Sequence, residues 1–247
     1  MKYSPYSFSK ISSYQHCPMK FKLNYIDKIR IPTENIALEK GKFLHHIIEN
    51  VIMDFRPPEF KFELATEEQQ RDFVIKLKDF MRSDCYKEYY ALEHKETERG
   101  FSIDFDGVNI KAGDYNNHSL IRGFIDFISK NGNKLLIVDW KSGKYKEDIN
   151  QLQVAIYALW GFLTFDDVDI IECEFCFIEH SKKVTVKFER NDINKLIKDI
   201  FSEIMYIEKA QSFKKKPSAL CDWCDYKKQG YCDGEFDFSP SALGIKI

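Results

Sequence analysis

The chain has 247 residues, of which 44% are hydrophobic and 31% are charged, a composition typical of a folded globular protein rather than a disordered one. Its net charge of -2 excludes a strong overall attraction to nucleic acid, so an acidic partner would have to meet a local basic patch. The N-terminus has no apolar signal segment, and no stretch approaches the roughly 18 consecutive apolar residues of a membrane span. We therefore expect a cytoplasmic, intracellular protein without membrane association, in which the seven cysteines favour free thiols or metal ligands over disulfides.

The first third of the chain is predicted to be helical. Residues 7–28 predict short helical turns interrupted at Pro18, since proline is favoured at a first helical position. The spacing of apolar residues predicts an amphipathic helix over 36–55, ended by two prolines. A further helix is predicted over 66–91, opened by a capping box that begins at Thr66.

The pattern then changes to strands. Residues 95–141 predict a meander in which "SLIRGFIDFISK" and "KLLIVDWK" are joined through "NGN", a strong hairpin signal. The remaining predicted elements are a helix over 149–162, strands over 169–178 and 182–188, and a helix over 192–209. This order predicts an α/β fold, with a mixed central sheet flanked by helices.

Two opposite charges interrupt the apolar strand "LLIVDWKSGK". Because side chains alternate along a strand, Asp139 and Lys141 share one face and Trp140 takes the other. The hairpin also makes it plausible that Asp126 lies close to Asp139, and two nearby carboxylates repel each other unless a cation or a proton lies between them. Mg²⁺ is held by such carboxylates, and an adjacent lysine can orient or deprotonate an attacking water. The alternative is that Asp139 and Lys141 form a solvated strand end and that Asp126 is a lone surface acid. A single D-x-K tripeptide is common, so on its own it favours this alternative.

Two helical motifs bear on this choice. Gly41, His45 and Glu49 lie at i, i+4 and i+8 on one helix stripe, where the histidine could bind metal or steer water. Gln153 and Tyr157 lie one helical turn apart, directly after the predicted hairpin. Taken alone, the first motif favours an ordinary surface histidine, and the second is typical of a core tyrosine with a glutamine beside it.

The motifs together resemble the RecB-type branch of the PD-(D/E)XK nucleases over roughly residues 7–232. No single motif is specific, but four occur in the family's order: G-x-x-x-H at Gly41 and His45, G-x-x-D at Gly123 and Asp126, "VDWKSGK", and Q-x-x-x-Y at Gln153 and Tyr157. Asp139 replaces the glutamate of many relatives, which is an accepted alternative in this family.

This resemblance implies a restriction-endonuclease-like fold and a set of residue roles. Asp126 and Asp139 would bind Mg²⁺ or Mn²⁺ together with His45, and Lys141 would assist the nucleophilic water. Gln153 and Tyr157 would complete the catalytic set by supporting the site and contacting DNA. Among the basic residues, Lys144 and Lys146 are best placed to contact DNA phosphate.

The C-terminal cysteines form a second possible metal site. Cys221, Cys224 and Cys232 have the spacing C-x2-C-x7-C, and Cys17 is a candidate fourth ligand far upstream. Four thiolates can hold a structural Zn²⁺ or a 4Fe-4S cluster, and the spacing does not choose between them. The resemblance favours the iron-sulfur cluster, because AddB-type subunits and CRISPR-associated spacer-processing nucleases carry one cysteine before the nuclease core and three after it. The other three cysteines, Cys85, Cys173 and Cys176, are predicted to be packing residues.

The sequence therefore predicts one nuclease domain over 1–247, with a core over 36–209 and cluster-binding segments over 7–30 and 211–235. Its expected activity is that of an Mg²⁺- or Mn²⁺-dependent exodeoxyribonuclease acting on DNA ends or single strands, in DNA repair, recombination or nucleic-acid processing. The expected partners are DNA and a helicase or other recombination or repair protein.

Two other functions fit parts of the sequence. A catalytically silent DNA-binding or scaffold subunit could keep the same fold, although such modules tend to lose the acid pair or the lysine, and all three residues are present here. A zinc-ribbon-like binding protein would explain the tail but not the other motifs.

Overall fold

The computed structural model describes residues 1–32 and 35–234. The chain divides into two compact units, one formed by residues 1–33 and 203–247 and the other by residues 34–202. The predicted cluster-binding segments fall in the first unit, and residue 235 of the second segment lies outside the described residues. The single nuclease domain over 1–247 stays a prediction.

The helices follow the predicted order. In chain order they are α1 (Phe8–His16), α2 (Pro18–Phe21), α3 (Ile36–Val51), α4 (Glu67–Arg82), α5 (Asp84–Tyr90), α6 (Gln151–Thr164), α7 (Ile193–Glu208) and α8 (Asp225–Lys228). A π-helical turn over Lys22–Ile26 follows α2, and a 3-10 turn over Ala219–Trp223 precedes α8. Among the described residues, no helix combines the length and the apolar character needed to cross a membrane.

Two predicted helices end earlier than expected. The helix predicted over 36–55 ends at Val51, and the helix predicted over 66–91 is divided into α4 and α5 at Ser83. Ser83 has an extended backbone and its hydroxyl accepts a hydrogen bond from the Tyr86 amide, so it caps α5. The capping box at Thr66 is present as predicted.

Aromatic packing and one carboxylate hold the first unit together. The rings of Tyr3, Tyr14 and Phe213 each pack within about 6 Å of the Phe21 ring. The Glu208 carboxylate accepts hydrogen bonds from the Tyr3 amide at 3.0 Å and from the Tyr6 hydroxyl at 2.9 Å. Aromatic burial and this carboxylate therefore fix the start of the chain to the end of α7.

The second unit contains one mixed six-stranded sheet, which confirms the predicted fold class. Its strands are β1 (Lys95–Phe105), β2 (Ile110–Asp114), β3 (Ile121–Asn131), β4 (Lys134–Lys141), β5 (Ile170–Phe177) and β6 (Lys182–Glu189), in the spatial order β2-β1-β3-β4-β5-β6. Only the β4–β5 pair is parallel. The β3–β4 hairpin turns at Gly132 and Asn133, where Gly132 adopts a φ of +56° that glycine tolerates without a steric penalty.

The D-W-K tripeptide lies between the two layers of helices that flank this sheet. The Trp140 ring packs against Phe80 and Tyr89, which belong to α4 and α5, and against Phe127 of β3. Asp139 instead faces α6, whose side chains hydrogen-bond its carboxylate. The alternation predicted from the sequence is therefore present, with the tryptophan in the core and the aspartate turned to the other face.

Candidate active site

One open cavity gathers the three predicted metal ligands of the nuclease site and the predicted catalytic lysine. It has a volume of about 670 Å³, and its lining includes residues from α3, β1, β3 and β4: Gly41, His45, Glu49, Glu98, Asp126, Asp139 and Lys141. Gly41 permits a close approach of the loop after β4, because a Cβ atom there would lie 3.2 Å from the Ser142 hydroxyl oxygen. The cavity therefore joins the two motifs that the sequence places about 90 residues apart.

His45 is held between a carboxylate and a backbone carbonyl. Its Nε2 lies 2.9 Å from the Trp140 carbonyl oxygen, and its Nδ1 lies 3.5 Å from an oxygen of Asp126. Burial lowers the pKa of the imidazole, but the hydrogen bond to Asp126 and the charges of Asp126 and Asp139 outweigh burial and raise it to about 9. At neutral pH the proton on His45 therefore supplies positive charge to this acidic site.

Asp126 is positioned by the backbone of the neighbouring strand. One of its carboxylate oxygens accepts a hydrogen bond of 2.7 Å from the Trp140 amide, and the other faces His45. Trp140 thus holds two site residues through its backbone while its ring anchors the core. This arrangement explains why a buried strand can carry a polar site at its end.

Glu98 of β1 is a site residue that the sequence analysis missed. One ligand atom from each of His45, Glu98 and Asp126 lies within 4.8 Å of the others, a spacing that can hold a metal ion. Although Glu98 is exposed, desolvation of its carboxyl group and then the nearby charges of Asp126 and Glu49 raise its pKa to about 7. The residue types in "KETERG" do not distinguish Glu98 from Glu96. The feature that sets Glu98 apart is its left-handed backbone, with a φ of +51°.

Asp139 is buried at the centre of a hydrogen-bonded network. One carboxylate oxygen accepts hydrogen bonds from the Gln153 amide at 2.6 Å and the Tyr157 hydroxyl at 3.0 Å. The other oxygen lies 2.5 Å from the Lys141 ammonium. Burial and the charge of Asp126 raise the pKa of Asp139, while Lys141 and Tyr157 oppose that shift. Asp139 is outside the group of three ligand atoms that lie within 4.8 Å of one another.

Lys141 links the acid pair to the glutamine-tyrosine motif. Its ammonium group lies 3.3 Å from the Gln153 amide oxygen and 4.4 Å from the centre of the Phe175 ring. The structure therefore brings the predicted Asp139, Lys141, Gln153 and Tyr157 into one network. Lys144 and Lys146 do not join it; both are exposed in the segment that follows β4.

The four predicted cluster ligands line a separate cavity within the first unit. Cys17, Cys221, Cys224 and Cys232 all contribute to this cavity, whose volume is about 480 Å³. Cys17 directly follows α1, Cys221 lies within the 3-10 turn, and Cys224 directly follows that turn. Cys232 lies in the segment after α8. Cysteines from the N-terminal and the C-terminal parts of the chain therefore line the same cavity.

The remaining cysteines lie inside the second unit. Cys173 and Cys176 are buried, and Cys85 is partly buried with its sulfur 3.6 Å from that of Cys176. Burial raises the pKa of Cys173 beyond its ordinary range. Their positions in the core agree with the predicted packing role.

Comparison with known proteins identifies one matching family. A family model described as the PD-(D/E)XK nuclease superfamily matches residues 5–232 of the chain. No curated protein sequence matches the chain. A solved structure described as "Crystal structure of SSO0001" is similar at 13% identity, covering 89% of this chain and 96% of that chain with a TM-score of 0.33. That likeness is too distant to assign a role to any residue.

Proposed function

The chain belongs to the PD-(D/E)XK nuclease superfamily, and from this premise we propose that it is an Mg²⁺- or Mn²⁺-dependent deoxyribonuclease of the RecB-type branch. The proposed reaction is hydrolysis of phosphodiester bonds at DNA ends or in single strands, leaving 3'-hydroxyl and 5'-phosphate products. The observation that carries the proposal is the joining of His45, Asp126, Asp139 and Lys141 in one cavity.

The donor set of this cavity suits the proposed metals. Carboxylate oxygens are the ligands that Mg²⁺ and Mn²⁺ prefer, and a neutral imidazole is an additional ligand that Mn²⁺ accepts. In our proposal His45, Asp126 and Asp139 hold the ion, and Glu98 adds a further carboxylate. When bound, the metal would supply Lewis-acid activation of water and of the scissile phosphate.

The surrounding residues have separate roles in the proposed mechanism. Lys141 orients the attacking water and screens the charge that develops on the phosphate. Gln153 and Tyr157 position Asp139 through their hydrogen bonds to one carboxylate oxygen. Their amide and hydroxyl groups fix the direction of the carboxylate, so they act on the reaction through it.

Digestion of end-labelled DNA in Mg²⁺ or Mn²⁺ tests this function. The wild-type protein should degrade the DNA, whereas Asp126→Ala and Asp139→Ala should each lose activity. Asp166→Ala is the matched control, because Asp166 is an exposed acid in the loop after α6. Activity that persists in both site variants would reject the assignment.

Exonuclease action is the finer part of the proposal. Substrates labelled at the 5' or the 3' end, with blunt or single-stranded termini, separate stepwise removal of nucleotides from internal cuts. We expect short labelled products to appear first from one end. Cleavage of a circular single strand as fast as of a linear one would identify an endonuclease instead.

We also propose that the four cysteines of the first unit bind a 4Fe-4S cluster. A tetrahedral Zn²⁺ with bonds of about 2.3 Å would bring its sulfur ligands within about 4 Å of each other. The four cysteines line one cavity, and the choice of a 4Fe-4S cluster over zinc rests on the resemblance, in which one cysteine precedes the nuclease core and three follow it.

Metal analysis of anaerobically purified protein tests the cluster. The wild-type protein should be brown and contain about four iron and four acid-labile sulfide atoms per chain. Cys221→Ser should lower the iron content, and Cys85→Ser should leave it unchanged. One zinc ion per chain without iron would favour the structural-zinc alternative.

A further inference from the structure

Two exposed aromatic rings stack on the surface of the sheet close to the candidate active site. The ring centres of Tyr115 and Phe124 lie 4.8 Å apart with an angle of 27° between their planes. The Arg122 guanidinium lies over the Tyr115 ring at 5.2 Å. Phe124 is 52% exposed and Tyr115 is 39% exposed, so the stack presents apolar surface to solvent.

Gly100 makes this stack possible. It lies opposite Phe124 in the β1–β3 pair, and it contributes no side chain between the two rings. A Cβ atom at Gly100 would lie 2.9 Å from the Tyr115 Cβ and 3.2 Å from Phe124 Cε1. The rings therefore meet across the space that this glycine leaves.

The stack lies beside the acid cluster along the same pair of strands. Phe124 is two residues from Asp126, and Gly100 is two residues from Glu98. Two residues of a strand span about 7 Å, so the stack and the acid cluster are close enough to meet neighbouring nucleotides of one DNA strand. The Tyr157 hydroxyl, which donates a hydrogen bond to Asp139, also lies 3.4 Å from the Phe124 carbonyl oxygen.

We propose that Tyr115, Phe124 and Arg122 form a nucleobase-stacking platform for single-stranded DNA next to the hydrolysed phosphate. This inference rests on the proposed nuclease function and names its substrate class. An unpaired base can extend the stack on the open surface of Phe124, and such stacking tolerates any sequence because every base has an aromatic face. A duplex offers no such face except at its ends, so the platform selects unpaired nucleotides.

The opposing explanation is purely structural. Aromatic side chains can cover a sheet glycine and stabilise the strand pair, and the stack would then need no ligand. The two explanations differ in whether removing the Phe124 ring weakens the binding of a DNA base. If the role is structural, removing the ring should lower thermal stability. It should then affect the binding of DNA with bases and of DNA without bases equally.

Binding to oligothymidylate and to the same oligonucleotide with abasic positions separates the explanations. Fluorescence anisotropy is measured in Ca²⁺ without Mg²⁺ or Mn²⁺. The wild-type protein should bind the thymidine strand at least fivefold more tightly than the abasic strand. Phe124→Leu should weaken thymidine binding by about 5- to 100-fold, with abasic binding within about twofold of wild type. Phe124→Tyr, which keeps an aromatic ring, should bind like the wild type.

The controls separate failure of the platform from failure of the proposed function. Phe105→Leu removes another exposed aromatic residue of the same sheet and should not change thymidine binding. Equal losses for both oligonucleotides, or wild-type binding in Phe124→Leu, would overturn the platform. If the wild-type protein also fails to cleave DNA in Mn²⁺, the proposed function is wrong, whereas normal cleavage limits the error to the platform. If Phe124→Leu does not fold, equal binding of the two oligonucleotides by the wild-type protein still overturns the platform.

Discussion

At the scale of single residues, Glu98, Asp126 and Asp139 place three carboxyl groups around one imidazole. Their mutual repulsion is relieved by the proton on His45 and by the Lys141 ammonium, which lies 2.5 Å from Asp139. A divalent cation would replace part of this charge compensation, and proton release should accompany its binding. The electrostatics of the site therefore favour metal binding at higher pH.

Glu98→Gln should weaken Mn²⁺ binding by at least about tenfold. Because the pKa of Glu98 is about 7, the wild-type carboxyl loses its competing proton between pH 6 and pH 8, and Mn²⁺ affinity should rise over that interval. The variant should lose this part of the rise and retain the part due to His45, whose pKa is about 9. Calorimetric titration at pH 6, 7 and 8 measures both effects.

The control for this measurement is Glu96→Gln, since Glu96 lies in the same strand and pairs with Arg99 at the surface. It should bind Mn²⁺ like the wild type at each pH. An unchanged affinity and pH dependence in Glu98→Gln would show that Glu98 is not a ligand.

Lys141→Met should separate catalysis from metal binding. Removing the ammonium deletes a group that orients water, so cleavage should fall by about 100-fold or more. Mn²⁺ affinity should not fall, because Asp139 loses its competing cationic partner. Cleavage rates and calorimetry on the same preparation measure the two effects, and a parallel loss of both would contradict the proposed role of Lys141.

At this scale the sequence predicted which of these side chains lie together, because its signals were local. Alternation along a strand is enough to predict that Asp139 and Trp140 face opposite sides. Glu98 could not be predicted in the same way, because its position depends on a left-handed backbone conformation within β1. That conformation leaves no pattern in the neighbouring residue types.

At the scale of elements, α3 connects the candidate active site to the loop that follows this helix. Glu39 of α3 is buried, and its carboxylate accepts hydrogen bonds from the amides of Glu63, Leu64 and Ala65 at 2.5, 3.0 and 2.8 Å. Desolvation opposes ionisation, but these three amides and the charge of Lys42 lower the pKa of Glu39 below its ordinary 4.5. The loop is therefore tied to the helix that carries His45.

Glu39→Gln should lower the melting temperature at pH 7. Because folding lowers the pKa of Glu39, its contribution to stability is complete above pH 4.5 and is lost as the pH falls through the lower folded value. The difference in melting temperature between wild type and variant should therefore shrink between pH 7 and pH 3. Thermal unfolding followed by circular dichroism measures it, with the exposed Glu59→Gln as the control. A difference that grows in acid would contradict the assignment.

Periodicity and turn chemistry predicted the elements well where both were local. The "NGN" hairpin and the alternation of strands and helices along the chain follow from patterns of two to ten residues. The division of the helix predicted over 66–91 was missed because its apolar spacing continues through Ser83. The capping role of that serine outweighs the periodicity, since its hydroxyl satisfies an amide at the start of α5.

At the scale of the whole molecule, the net charge of -2 gives no general attraction to DNA. Local lysines must therefore supply the electrostatic part of binding. Lys144 and Lys146 are exposed in the segment directly after the D-W-K strand, which makes them candidates for contact with phosphate near the site.

Replacing both Lys144 and Lys146 by alanine should weaken single-stranded DNA binding at low salt. If each lysine meets one phosphate, the slope of log affinity against log salt should fall by about 1.4 for the pair. Lys134→Ala is the matched control, because Lys134 is exposed at the opposite end of β4. An unchanged slope in the double variant would exclude these lysines from DNA contact.

The arrangement of the chain into two units was less accessible to the sequence than the sheet. Cys17 and the C-terminal cysteines are about 200 residues apart, and no local pattern links them. The family resemblance predicted that link, and the common cavity of the four thiols agrees with it. The identity of the bound metal depends on chemistry that residue spacing does not encode.

Anomalous X-ray scattering from crystals soaked in Mn²⁺ tests the central claim most directly, because it locates the metal independently of activity. We predict a manganese peak in the second unit that is coordinated by His45, Asp126 and Asp139, and that disappears in Asp126→Ala. A soaked crystal without a peak at these residues, or with manganese bound only elsewhere, would contradict the account.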